Sequence, residues 1–229
     1  MTFAISARCP RTGRFGVAIS TRPMAVAARC PFIAPGVGVV VTMATTDPRL
    51  GPLGLNLLRL GYSAQRVLDE IAASDPKIDW RQVSVIDRDG NAVARTGGKN
   101  NPWAGAIIKP NLVAMGNNLT SERTATAMAA AFEADPAQEL EERLMCALEA
   151  GRDAGGQNGG QQSAGLLSYD REIYAYADLR VDLHAEPIGE LRRLYAVYGP
   201  QAPYWYQRPA RPDDFPRRAE DWVTAQRAK

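Results

Sequence analysis

Residues 36–44, GVGVVVTMA, form a nearly unbroken apolar and β-branched run. A run of this length and type reads as a strand covered on both faces. The chain must therefore supply an apolar layer on each side of it. One such layer follows directly. Pro52 to Leu60 carries Leu53, Leu57, Leu58 and Leu60, and Gly61-Tyr62 breaks the pattern. Ser63 then caps a second helix with Val67, Leu68 and Ile71 on one face, closed by Asp75-Pro76.

The remaining segments supply further strands and a second set of helices. Residues 3–8 and 15–21 alternate around the turn Arg11-Thr12-Gly13-Arg14, a hairpin at the start of the chain. Residues 23–35, punctuated by Pro23, Pro31 and Pro35, read as a loop and a short crossing segment. Residues 82–87 and 91–96 flank Arg88-Asp89-Gly90, a second hairpin signal. A strand at 112–116 leads into Asn117-Asn118. Helices are predicted over 121–134 and 136–150, strands over 163–169 and 173–181, and a last helix over 187–198. Residues 199–229 hold five prolines and read as an extended tail that wraps a surface or a neighbouring subunit.

The order is strands, helix pair, strands, helix pair, strands, helix. The predicted class is α+β. A four-layer αββα sandwich fits, and so does a more generic α+β fold, because periodicity does not choose between them. No internal repeat or linker divides residues 1–198, which are taken as one domain followed by the 199–229 tail.

Composition excludes several functions. The 229-residue chain has 27 basic and 25 acidic residues, a net charge of +2, too small to suggest a nucleic-acid or membrane-surface protein. Cys9, Cys30 and Cys146 are far apart, and His184 is the one histidine, so neither a zinc site nor a disulfide framework is expected. No metal and no organic cofactor is expected. The start, MTFAISARCPRTGR, lacks a basic n-region and an apolar h-region, and no apolar run approaches 18 residues. A reduced, cytoplasmic protein is the expectation.

Phosphate-loop, dinucleotide, G-x-S-x-G and H-E-x-x-H motifs are absent. The informative feature is Thr2. Removal of an initiator methionine is favoured when the second residue is small. Thr2 would then carry a hydroxyl nucleophile and its own α-amine, whose reference pKa of roughly 8 leaves a neutral fraction to act as base. Many chains begin Met-Thr without using it. Arg22, after the second strand, returns near residue 2 and could tune that amine or bind a carboxylate; otherwise it is a surface Arg at a strand end. Asn117 and Asn118 could donate to an oxyanion, or simply form a turn. The run from Gly155 to Ser163 could be a substrate loop or a flexible connection. His184 could serve Cys9 or Cys30 in a thiol hydrolase, or cap the next helix.

Taken together, TFAISARCPRTGRFGVAISTR, GVGVV, TDPRLGPLGLNLLRLG, the PWAG of residues 102–105, GN at 116–117, QSAGLL at 162–167 and DLRVDLHAEPIGELRRL at 178–194 resemble one family. It is the domain-of-unknown-function 1028 family, similar in fold to the N-terminal nucleophile (Ntn) hydrolases. The resemblance runs from about residue 2 to 198 and implies the αββα sandwich and an amidohydrolase of unsettled substrate. It fits Thr2 as the candidate nucleophile, and the reading of the residues themselves adds Asn117 for the oxyanion and Arg22 to tune the amine or bind an anionic group. Thr42, Asp47, Asn118, Gln162 and Ser163 are the expected substrate contacts. Some relatives carry a C-terminal peptidoglycan-binding segment, for which residues 199–229 are too few. Relatives tend to have Gln, Phe and Asn where this chain has Met43, Thr45 and Asp47, and His where it has Arg95. They tend to have charged residues in place of Gln157 and Gly160, and Asp in place of Leu183. Those polar changes bear on substrate contacts.

Two functions compete. One is hydrolysis of a small amide or ureide by Thr2 after loss of Met1. The other is a non-catalytic binding or assembly protein on the same fold, with Tyr204-Trp205-Tyr206 as interface anchors. A small-molecule amide is the expected partner in the first reading, and a homo-oligomer is the expected state, although no residue pattern carries it.

Overall fold

The computed structural model describes residues 1–228. Strands β1 (Thr2–Arg8) and β2 (Phe15–Thr21) form the opening hairpin. Strands β3 (Pro31–Ala34) and β4 (Gly38–Ala44) are followed by helices α1 (Leu50–Arg59) and α2 (Ala64–Ser74). Strands β5 (Arg81–Asp87), β6 (Ala92–Thr96), β7 (Gly105–Lys109) and β8 (Leu112–Asn117) come next. Helices α3 (Arg123–Glu133) and α4 (Leu140–Asp153) precede β9 (Ser163–Tyr169), β10 (Ala177–Val181) and α5 (Pro187–Tyr198). The chain closes with α6 (Ala202–Gln207) and α7 (Ala219–Arg227).

The strands form two antiparallel sheets. The larger runs β10-β9-β2-β1-β8-β7 and the smaller β3-β4-β5-β6. Their burial follows from period-2 alternation. In β1, Phe3, Ile5 and Ala7 join Met128 and Phe132 of α3 and Leu144 and Leu148 of α4 in one apolar cluster. Ala4, with Val17 and Ile19 of β2, instead meets Val39, Val41 and Met43 of β4 between the sheets. Val40 turns away from that gap to meet Leu55 and Leu58 of α1 and Val67 and Ile71 of α2. Each fully buried side chain of this kind contributes roughly 1.5–3 kcal/mol. The GVGVVVTMA run is covered on both faces, as its composition requires. Helix α1 comes close because residue 51 is glycine: an added Cβ there would lie 2.1 Å from Cδ2 of Phe32.

Three expectations need correction. Residues 31–34, read as loop, form β3, and residues 105–109 form β7, which was not anticipated. Both are edge strands, short and partly exposed, and an edge accommodates Pro31. The strand read over 173–181 begins only at Ala177, and Ile173 is exposed on the preceding loop. The 199–229 tail is largely helical. Pro200, Pro203 and Pro212 occupy first-turn positions of short helices, where a missing N–H costs little. Tyr204 is fully buried against Trp205, Phe215 and Trp222, and its hydroxyl donates to the Pro216 carbonyl at 2.8 Å. The Tyr206 hydroxyl accepts the backbone N–H groups of Arg171 and Glu172.

Candidate active site

The pairing of four neighbouring strands builds a polar row at one end of the larger sheet. Ser163 pairs with Thr21, Thr21 with Thr2, and Thr2 with Asn117. Thr2 shares the face of Ala4, so it lies toward the gap between the sheets. All four residues are buried.

A hydroxyl has one hydrogen to give. The Thr21 hydroxyl donates to the Met1 carbonyl. The 2.9 Å contact between Thr2 Oγ1 and Thr21 Oγ1 must then be donated by Thr2. While Met1 is present, the Thr2 hydroxyl is held by this relay and its nitrogen lies in a peptide bond. Burial lowers the Met1 amine below its ordinary pKa.

Asn117 is anchored across the gap. Its Nδ2 donates to Gln82 Oε1 at 3.1 Å, and Gln82 Nε2 lies 2.8 Å from the Gly116 carbonyl, 3.1 Å from that of Gly105 and 2.9 Å from Thr96 Oγ1. Gln82 thus joins the two sheets beside Thr2. Its strand, RQVSVID, also holds Arg81, Ser84 and Asp87, so the sequence carried no signal that set Gln82 apart; its complete burial marks it.

Two cavities meet at Met1. One, of about 290 Å³, is lined by Thr2, Thr21, Val26, Arg29, Cys30 and Thr46 among others. The second, of about 210 Å³, is lined by Thr45, Trp80, Lys99, Asn100, Asn101 and Asn117. Met1 and Ala44 line both. Arg29, Trp80, Lys99 and Gln82 were not singled out from the sequence, because only the tertiary fold brings their loops to the end of β1.

The other anticipated residues are placed as follows. Arg22 is exposed, and its guanidinium lies over Gly159, where an added Cβ would stand 2.7 Å from Nη1. It lines neither cavity. Thr42 shares the face of Val40, is buried on the helix side of the smaller sheet and lines neither cavity. Asp47 is buried just before α1. Its carboxylate accepts Arg49 Nε at 3.0 Å and Nη2 at 2.7 Å, and lies 3.7 Å from Arg81. The Arg49 side-chain hydrogen bonds hold the Asp47 carboxyl at about 2, against the opposing effect of burial. Asp47 shapes the entry to α1 and lines neither cavity.

Asn118 has a left-handed backbone at φ 53° and ties two loops together, donating its N–H to Asn101 O and accepting that of Asn158. Gln162 is exposed, and its N–H donates to Thr21 O at 2.9 Å. The Ser163 hydroxyl donates to Pro23 O at 2.7 Å and accepts the Val26 N–H at 3.2 Å, fixing the loop after β2.

The thiol route has no matching geometry. Cys9 is packed in the helix-side core, at the far end of β1 from Thr2. Burial pushes the Cys30 thiol up to about 11, against a weak Thr46 hydrogen bond. His184 is exposed, and its Nδ1 accepts the Glu186 N–H at 3.0 Å. Among the described residues, no group of three or more His, Cys, Asp and Glu side chains is placed to hold a metal ion, and no helix is long and apolar enough to cross a membrane.

Comparison with known proteins adds the following. A family model described as a family of unknown function, DUF1028, matches residues 2–191. The crystal structure of protein SPO2555 from Silicibacter pomeroyi, also described as DUF1028, is 30% identical with a TM-score of 0.80, covering 86% of this chain and 88% of that one. Anbu, the ancestral beta-subunit, from Yersinia bercovieri is 11% identical with a TM-score of 0.43, covering 85% and 93%. A Gly-1 mutant of Anbu from Hyphomicrobium sp. strain MC1 is 13% identical with a TM-score of 0.44, covering 88% and 96%. No curated protein matches the chain.

Proposed function

The chain belongs to the DUF1028 family, and from that premise we propose that it is an Ntn-type amidohydrolase in which Thr2, freed by removal of Met1, attacks a small amide or ureide. The observation that carries this reading is the position of Thr2. It is buried on the cavity of about 290 Å³, in register between Thr21 and Asn117, and its neighbour Met1 lines that cavity and the one beside Asn117. The packing of α1 and α2 on the smaller sheet, and of α3 and α4 on the larger, supports the four-layer αββα arrangement that such an enzyme requires. Residues 1–198 form its domain, with 199–229 as an appended segment.

Loss of Met1 leaves an α-amine on Thr2 and takes away the carbonyl that holds Thr21. The neutral amine removes the Thr2 hydroxyl proton, and Oγ1 attacks the substrate carbonyl carbon. Burial at this point lowers the Met1 amine pKa, and the same burial favours a neutral amine on Thr2. The second Nδ2 hydrogen of Asn117, with backbone N–H groups, stabilises the oxyanion. The protonated amine gives its proton to the leaving nitrogen, and the C–N bond breaks. Water, deprotonated by the same amine, then hydrolyses the threonine ester and restores Thr2. Asn118 and Ser163 act in this scheme by fixing the loops around the cavities, and Arg22 stands outside it.

The test is intact mass followed by turnover. Protein made in its own organism should lack one methionine and hydrolyse members of a panel of small amides and ureides, and Thr2→Ala should be inactive. Retention of Met1, or full activity in Thr2→Ala, would overturn the mechanism and favour a non-catalytic binding or assembly protein.

A further inference from the structure

Taking the hydrolase reading as its starting point, we propose that the substrate carries a carboxylate, and that Lys99 beside Trp80 binds it in the cavity on the Asn117 side of Met1. The first argument is charge. The basic side chains on the two cavities are Arg29 and Lys99, and no Asp or Glu lines either one. The chain as a whole is nearly balanced, with 27 basic and 25 acidic residues, so this one-sided lining is a local arrangement. The Cys30 thiol, pushed up to about 11 by burial, adds no negative charge near neutral pH.

The second argument is that Lys99 is unneutralised. Among the described residues it forms no ion pair, whereas Arg14, Arg49, Arg66, Arg81, Arg95 and Arg192 each do. Its Nζ lies 5.1 Å from the Trp80 ring centroid, a contact that leaves its N–H donors open to a ligand. Asp79 accepts the Lys99 backbone N–H at 2.9 Å through its carbonyl, but its carboxylate is paired with Arg95 at 3.2 Å. Arg29, by contrast, donates to the Met24 carbonyl at 2.8 Å.

The third argument is placement. Asn100 Nδ2 donates to the carbonyls of Arg81 and Gly97, at 3.0 and 2.8 Å, and so ties down the loop that presents Lys99. A carboxylate on Lys99 leaves the rest of a small ligand beside Asn117, in the same cavity, with Thr2 across the position of Met1. The two cavities, of about 210 and 290 Å³, are each small for a ligand site. Met1 and Ala44 line both, so loss of Met1 widens the space they share toward the usual range of roughly 300–1,000 Å³.

The experiment has a binding arm and a turnover arm. Binding of succinate and of neutral succinamide is measured by calorimetry on the protein as isolated, whichever N-terminus it carries. Succinate should bind at least ten-fold more tightly. Lys99→Met should lose that preference and Lys99→Arg should keep it, with unchanged circular dichroism in both. Equal binding of the two probes, or undiminished succinate binding by Lys99→Met, would overturn the proposal. In the turnover arm, succinamate should exceed succinamide at least ten-fold in kcat/KM, and Lys99→Met should remove the difference chiefly through KM. Turnover that needs Thr2 but ignores the carboxylate would sink this proposal and leave the hydrolase reading intact. Lys99-dependent succinate binding without Thr2-dependent turnover would do the reverse.

Discussion

Thr2 and Asn117 stand opposite each other on β1 and β8, and the Asn117 amide is also hydrogen-bonded at 3.1 Å to Gln82 of the other sheet. A residue at the very start of the chain is thereby fixed against both sheets through a single neighbour. Terminal residues are usually poorly ordered unless tied into a sheet, and Thr2 is tied into one on both sides.

Thr2→Ala should separate chemistry from folding. The substitution removes one hydroxyl contact, to Thr21 at 2.9 Å. The expected stability loss is about 1 kcal/mol, while hydrolysis falls to background. Urea unfolding and turnover on the same preparation would check both.

Asn117→Ala should affect both properties. It leaves Gln82 Oε1 without its 3.1 Å donor in a buried setting. A loss of about 1–3 kcal/mol is expected from that unpaired acceptor. Turnover should drop about a hundredfold or more if the amide serves the oxyanion. A variant destabilised in urea but still fully active would assign Asn117 to structure alone.

Asp47 should make stability acid-sensitive. Its folded pKa, about 2, lies below the ordinary value of 3.8 because Arg49 stabilises the carboxylate. A depressed acid contributes stability that is complete above the unfolded pKa and fades as pH falls toward the folded one. The wild-type protein should lose this contribution as pH falls from about 3.8 to about 2, and Asp47→Asn should show a flatter profile there. Thermal unfolding across that range is the measurement.

Gly51→Ala should loosen the seam between α1 and β3. The new Cβ would sit 2.1 Å from the Phe32 ring, so helix or ring must shift. Overpacking of this kind costs typically 1–3 kcal/mol. Gly51→Ala combined with Phe32→Leu should recover part of the loss in urea unfolding.

Glu141→Ala should be strongly destabilising. Glu141 is buried and accepts Arg14 Nη1 at 3.1 and 3.0 Å, and Arg14 is itself buried under the Tyr176 ring. Removing the acid leaves the buried guanidinium with only the longer contacts to Glu139 at 3.4 Å and Asp170 at 3.7 Å, so the loss should approach the roughly 3–5 kcal/mol of a broken buried pair. Calorimetric unfolding should show a clearly lowered midpoint.

The sequence by itself determined what depends on local pattern. Alternation and β-branched composition located the central strands, since a strand buried on both faces must be apolar throughout. Spacing of leucine, valine and isoleucine located the helices α1, α2 and α4. The edge strands β3 and β7 escaped because an edge needs only one partner and tolerates proline and exposure. The tail was misjudged because proline breaks a helix in its interior but suits its first turn. Thr2 and Asn117 were legible as chemistry-bearing residues next to strands. That they pair in register follows from the order β2-β1-β8, which no local pattern encodes. The side on which Thr42 lies was not legible for a related reason: a residue's face in a strand is relative until the neighbouring layers are known. Gln82, Trp80 and Lys99 gain their meaning only from long-range packing, which brings segments distant in sequence to the end of β1 where Met1 lines both cavities.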